Sequence, residues 1–175
     1  MDSIITWWEA IRDFIEMGGP VLNWIAAVIF LMWILIIERT IYMATGHRKK
    51  VNKVMEDWEA RKERTSWGAK QIRVAMISRV KDAINGSIPM IKTLVALCPL
   101  LGLLGTVTGM IDVFDVMAVS GTGNARSMAA GVSKATVPTM AGMVGALSGV
   151  FASTFLTRKA DTEVERLRDN LTMDH

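Results

Sequence analysis

Within residues 131–151, GVSKATVPTMAGMVGALSGVF, a lysine (Lys134), two threonines (Thr136, Thr139) and a proline (Pro138) interrupt a stretch otherwise apolar enough to sit in lipid. A second such stretch, 98–111, reads CPLLGLLGTVTGMI, with Pro99 and Thr106 in matching roles and Asp112 directly after it. A proline inside a helix lacks its N–H, so Pro138 frees the carbonyl of Lys134 and Pro99 that of Val95. Freed carbonyls at membrane depth are tolerated where a polar group or water serves them. A threonine hydroxyl both donates and accepts, so it can order water beside a titrating acid. If the two apolar helices run antiparallel with Thr106 and Thr139 at one depth, equal outward steps reach Asp112 and Lys134 together, with Asp115 one turn further out. An intramembrane charge is costly unless paired or wetted. Together these residues point to a water-accessible ion path or a polar partner. Each also has a plainer reading: a threonine bonds the carbonyl one turn back (Gly102 for Thr106, Ala135 for Thr139), and Lys134 snorkels to the outer headgroups.

The elements that must position these residues follow from hydropathy. Of the 175 residues, 51% are hydrophobic, and they are clumped. Uncharged runs cover 17–37, 93–111 and 135–157, each near the roughly 20 residues that cross a hydrocarbon core of about 30 Å. The expected fold is an all-α membrane protein with three transmembrane helices extended into the cytoplasm, plus an N-terminal amphipathic interfacial helix. We expect one membrane domain over 1–175: interfacial helix 2–16, span 1 at 17–37, cytoplasmic helical segment 38–92, span 2 at 93–117, span 3 at 126–157 and a cytoplasmic tail 158–175. In the first of these, Ile4, Trp7, Trp8, Ile11, Phe14 and Ile15 form one stripe opposite Glu9, Arg12, Asp13 and Glu16, as in helices lying in the headgroup plane. Gly18-Gly19-Pro20 breaks that helix before span 1, a bulky helix suited to the lipid-facing outside of an assembly.

Charge sets the expected orientation. Residues 38–92 hold thirteen Lys/Arg against six Asp/Glu, whereas the first sixteen residues hold one Arg and four acids. Lys and Arg collect on the cytoplasmic side, so the N-terminus is expected outside and both the 38–92 segment and the C-terminus inside. No cleavable signal is expected from the acidic start. The net charge of +3 is a topology signal rather than a nucleic-acid footprint. Within 38–92 we expect two helices meeting around 64–68, one with Val51, Val54, Met55 and Trp58 on its apolar face, the other with Ile72, Met76, Val80, Ile84 and the stem of Arg79. The segment is short for an enzyme domain. The single cysteine, Cys98, allows no internal disulfide, and the two histidines, His47 and His175, join no cluster with metal-ligand spacing. No phosphate loop or nucleophile constellation is present, so no enzyme activity, metal or cofactor is expected.

Spans 2 and 3 differ from span 1 in carrying Gly102, Gly105 and Gly109, then Gly142, Gly145 and Gly149. Ala141, Gly145, Gly149 and Ser153 recur every four residues, a ridge over which helix backbones approach closely. One chain supplies few helices to surround two such faces, which argues for a homo-oligomer.

The stretch from Cys98 to Ile111, with its Pro-x-x-Gly-x-x-Gly-Thr-x-x-Gly pattern, resembles the second-span signature of the ExbB/TolQ/MotA family. Residues 135–149 resemble the family's third span, with Thr139 at its polar threonine. Three spans, an outside N-terminus and a basic inside loop resemble the ExbB and TolQ types more than the four-span MotA type, and the short length resembles ExbB. One departure stands out: where familiar members carry a glutamate five residues before that threonine, this chain has Lys134. The resemblance implies a pentameric ring in the bacterial inner membrane around single-span ExbD-like helices, each with a membrane aspartate. Proton flow through that aspartate would drive a TonB-like protein and outer-membrane uptake of iron complexes and vitamins. Thr106 and Thr139 would supply hydroxyls beside the partner's acid. A TolQ-like or flagellar-type stator, proton- or sodium-driven, and a passive membrane scaffold are the alternatives.

Overall fold

A computed structural model describes residues 2–60, 66–120 and 125–171. Among them every regular element is helical: α1 (Asp2–Ile41), a π-helical turn (Tyr42–Gly46), α2 (His47–Glu59), α3 (Trp67–Asn85), α4 (Ile88–Ser120) and α5 (Ala125–Asn170). Three stretches, Gly18–Glu59, Trp67–Val119 and Met128–Asn170, are long and apolar enough to cross a membrane. The chain's contacts divide it into two compact units, one of Met1–Trp33 with Thr93–Val150, the other of Ile34–Lys92 with Phe151–His175.

In the first unit, α1 kinks at Gly19, whose φ of 65° lies in the left-handed region that costs glycine little. Pro20 follows at the first position of the resumed helix, where its missing N–H would be unbonded anyway. The backbone is thus broken where the Gly-Gly-Pro sequence requires. Side chains of the expected amphipathic stripe (Ile4, Trp7, Trp8, Ile11, Phe14, Ile15) lie outside the described residues. Past the kink, Leu22, Ile25 and Met32 are buried while Trp24, Phe30 and Trp33 are exposed, so α1 has an inner and an outer face. α4 and α5 pack backbone to backbone. A Cβ on Gly102 would lie 3.1 Å from the Pro138 carbonyl oxygen and the Thr139 Cα, and one on Gly142 would lie 2.5 Å from the Cys98 carbonyl oxygen. Gly105 faces the Pro138 ring and Gly109 faces Ala135. Gly145 and Gly149 instead face Ile29 and Met32 of α1. Part of the small-residue ridge expected to serve other copies therefore seats the chain's own first span.

In the second unit, α2 ends at Glu59 and α3 begins at Trp67; residues 61–65, with part of the expected junction at 64–68, lie outside the described residues. Ser66 caps α3 by accepting the Ala69 N–H at 3.2 Å, so the helix starts before Gly68. Trp58 is buried, with Val51, Val54 and Met55 half-buried. Along α3 the buried line is Ala69, Ile77, Val80 and Ile84, with Ile72 and Met76 half-buried. Arg79, expected to cover this face with its stem, is exposed; Arg73 is the half-buried arginine. Two arginines cap helix C-termini here, where carbonyls lack helical partners and the dipole is negative. Arg39, 4% exposed, donates to the carbonyls of Ala83 and Ile84 at the end of α3 and lies 4.8 Å from the Tyr42 ring centroid. Arg73 donates through Nε to the Leu171 carbonyl at 2.6 Å and through Nη2 to that of Arg168 at 2.8 Å. The sequence marks Arg39 only as a membrane-edge charge; its acceptors are backbone groups more than forty residues away, which no side-chain pattern reveals.

Two outcomes follow. Gly142→Ala drives a methyl into a main-chain carbonyl, whereas Gly145→Ala meets only the movable end of Ile29. The former should lower thermal stability in detergent markedly, on the scale of 1–3 kcal/mol for overpacking, and the latter clearly less. Arg73→Met should speed amide exchange at residues 167–171 by roughly tenfold, consistent with loss of a charged hydrogen bond, with little change in the first unit.

Candidate functional site

The close approach at Gly102 puts two hydroxyls on one carbonyl. Thr139 Oγ1 donates across the helix pair to the Gly102 carbonyl at 2.9 Å and lies 3.0 Å from Thr106 Oγ1. Thr106 Oγ1 reaches the Leu103 carbonyl at 2.9 Å and that of Gly102 at 3.3 Å. Thr106 thus makes the plain one-turn-back bond, while Thr139 reaches Gly102 rather than its own Ala135. Both residues are half-buried. Two hydroxyls carry two protons, and the acceptors within reach are two carbonyls and the hydroxyl oxygens themselves. Lone pairs therefore remain to accept from a water or a protonated acid, and either proton can turn from a carbonyl to a carboxylate. Neighbouring hydroxyls are served locally: Thr108 by Leu104 and Gly105, Thr136 by Ser133, Ser148 by Gly145.

Pro138 is buried directly above this pair, its ring against Gly105, whereas Pro99 is exposed. Further along the seam, Lys134 Nζ lies 3.9 Å from Asp112 Oδ2, the side chains 46% and 67% exposed. Asp115 is exposed. The structure thus brings Asp112 and Lys134 to one level, as the equal-step argument requires. In the single chain the pair is exposed, which gives it surface magnitude, about 0.2–1 kcal/mol, not that of a desolvated pair. The Lys134 stem passes close to Gly19, where an added Cβ would lie 3.9 Å from its Cε. On the face of α5 beside the seam, Ala141 and Gly145 line an open apolar groove of about 440 Å³ with Ile29, Met140, Val144 and Ser148. Ser153 is buried in the second unit. Among the described residues no group of three or more His, Cys, Asp or Glu could hold a metal ion.

A sequence profile of the MotA/TolQ/ExbB proton channel family matches residues 38–169, most of the chain and all of the hydroxyl site. The chain belongs to this family. Among curated relatives, the putative biopolymer transport protein ExbB-like 1 of Synechocystis is 44% identical over 61 residues, 33% of this chain and 24% of the relative. The biopolymer transport protein ExbB of Salmonella typhimurium is 32% identical over 114 residues, 65% of this chain and 45% of the relative. The Tol-Pal system protein TolQ of Pseudomonas aeruginosa is 29% identical over 98 residues, 56% of this chain and 42% of the relative. The chain therefore spans less than half the length of these relatives. Membership in this membrane family, with three helices able to span, makes the chain a multi-pass membrane protein.

The interhelical bond makes a quantitative expectation. In a double-mutant cycle, Thr106→Val and Thr139→Val should couple by about 0.6 kcal/mol in detergent stability, the average for such bonds inside membrane proteins. Additive effects would mean that the two hydroxyls do not bond each other. In the parallel cycle of Asp112→Ala and Lys134→Ala, coupling in the isolated chain should stay below about 1 kcal/mol.

Proposed function

We propose that this chain is the ring subunit of an inner-membrane, proton-driven complex that couples proton motive force to TonB-dependent uptake of iron complexes and vitamins across the outer membrane. The observation that carries the reading is the Thr106–Thr139 hydroxyl pair on the Gly102 carbonyl, set in two apolar stretches that contain no acid of their own. Such a site suits a carboxyl delivered by a partner. The partner would be an ExbD-like single-span protein with one membrane aspartate, and the work would pass to a TonB-like protein. The protonated acid can donate to a threonine oxygen; after the proton leaves, a hydroxyl can turn to the carboxylate. The threonines stay neutral throughout and so hold a path without trapping the ion.

The open groove at Ala141 and Gly145, together with exposed Leu100, Leu104, Val107 and Leu147, supports close packing with further copies in a homo-oligomer, a pentamer by family resemblance, with lipid around it. The charge bias supports a periplasmic N-terminus and a cytoplasmic C-terminus. On that orientation Asp112, Lys134 and Asp115 stand at the outer end of the path, where an exposed pair of opposite sign can guide ions without holding them. The likeness to a Tol-Pal system protein TolQ supports a second reading, a TolQ-like ring that energises a system other than uptake.

The test replaces hydroxyls while keeping shape. In a strain lacking the native gene, Thr139→Val should reduce energised uptake of an iron complex at least tenfold, while Thr139→Ser retains most of it, with assembly unchanged in both. Thr106 should follow the same order. Normal uptake by an assembled Thr106→Val, Thr139→Val protein would remove both residues from the mechanism. Normal uptake in a strain without the chain would rule out the uptake role and favour the TolQ-like reading.

A further inference from the structure

The face of α4 turned away from α5 carries a regular apolar stripe. Leu97, Leu100, Leu104, Val107, Ile111 and Phe114 are all exposed and recur in alternating steps of three and four residues, the spacing by which one helix seats against another. At about 100° per residue the stripe stands opposite Gly102, Gly105 and Gly109, which face α5. On α5, Ala141, Gly145 and Ser148 line the open groove beside Ile29 and recur in steps of four and three. Small residues in such a line admit a second helix backbone. All of these residues belong to the first unit.

The two patterns match in depth. α4 and α5 run antiparallel, and the contacts Thr106–Thr139, Gly105–Pro138 and Gly109–Ala135 fix which of their residues stand level. Counted from the threonine pair, Leu104 is level with Ala141, Leu100 with Gly145 and Leu97 with Ser148. Counting from the other two contacts shifts this by no more than about 3 Å of helix rise. The chain's own leucines point away from its own α5 and cannot fill the groove. Those of a second copy can, because copies with one orientation in a bilayer are related by an axis along the membrane normal, and equal depths meet.

Charge agrees with this register. One helical turn outward from Ile111, Asp115 continues the α4 stripe and is exposed. Two turns outward from Ala141, Lys134 continues the line of the groove; its side chain lies 3.9 Å from Asp112 of its own chain and is still 46% exposed. A second copy in the groove places its Asp115 within about 6 Å of axial rise of Lys134, a gap that the lysine stem spans.

We propose that α4 of a second copy docks in this groove, with Leu104, Leu100 and Leu97 seated at Ala141, Gly145 and Ser148 and its Asp115 paired with Lys134. The inference rests on the homo-oligomer proposed above and assigns its contact. Each α4 then lies between its own α5 and the α5 of the next copy, a head-to-tail arrangement that can close into a ring.

The test uses two differently tagged forms of the full chain in one membrane. Both have the buried Cys98 replaced by alanine, and each has one new cysteine. Leu104→Cys with Ala141→Cys, and Leu97→Cys with Ser148→Cys, should oxidise to mixed dimers. Leu104→Cys with Ser148→Cys, displaced by about 10 Å, should not, since a disulfide needs Cα atoms within about 7 Å. No single variant should dimerise with its own kind, because the contact joins unlike surfaces. Ala141→Leu, which fills the groove from within, should cut the yield from Leu97→Cys with Ser148→Cys roughly tenfold. Asp115→Asn, a change at an exposed site, should cut it by roughly two- to fivefold. Equal yields from matched and displaced pairs, or dimers from one variant alone, would overturn the proposal; an unchanged yield with Asp115→Asn would overturn the ion pair. Native mass spectrometry of the detergent-extracted parent separates this contact from the oligomer itself. An oligomer without the matched disulfides overturns the contact alone, and a monomer without them overturns both.

Discussion

A side chain as short as threonine reaches a main-chain carbonyl of the next helix only where the two backbones come very close, and glycine removes the side chain that would hold them apart. At Gly102 and Gly142 that condition is met: α4 and α5 approach until an added methyl would press on Thr139 Cα or on the Cys98 carbonyl oxygen. The approach puts the Thr139 hydroxyl on the Gly102 carbonyl and against Thr106. It also sets the register along the seam, so that Gly105 meets Pro138, Gly109 meets Ala135, and Lys134 comes level with Asp112. In a bilayer, where apolar side chains gain little by leaving lipid for one another, such packing and hydrogen bonding carry helix association.

Much of this was legible in the sequence because the bilayer is a strict solvent. Three uncharged runs of spanning length leave few folds open, and each span must satisfy its own backbone. The Gly-Gly-Pro break at Gly19 was readable because only glycine adopts its φ at low cost. The equal-step argument placed Asp112 opposite Lys134 once the two threonines were aligned. The site was less legible in detail. Thr139 was assigned the local Ala135 carbonyl as its plain partner, and the structure gives it Gly102, since the glycine lets a neighbouring helix come nearer than sequence spacing alone reveals. The small-residue ridge reads as a surface for close helix approach without naming the helix that fills it; Gly145 and Gly149 receive Ile29 and Met32 of the same chain.

Arg39 and Arg73 illustrate a different limit. Both act on backbone carbonyls at helix ends, so neither has a partner residue that a pattern search could find. Periodicity places Arg79 on the apolar face because it counts positions and not directions; the structure gives the half-buried place to Arg73, whose guanidinium has two carbonyls to serve. Membership in a proton channel family supports the role proposed for the hydroxyl pair: a neutral, reorientable pair of donors, set in apolar stretches without an acid of their own, suits a titrating group supplied from outside the chain.

That claim is tested most directly by proton flux. Proteoliposomes holding this chain with a single-span, aspartate-bearing partner, loaded with a pH-sensitive dye and given an imposed gradient, report the flux itself. On this account the Thr139→Ser complex conducts at close to the parental rate, and the Thr139→Val complex falls at least tenfold while keeping the same subunit composition. Parental flux through a correctly assembled Thr139→Val complex would contradict it.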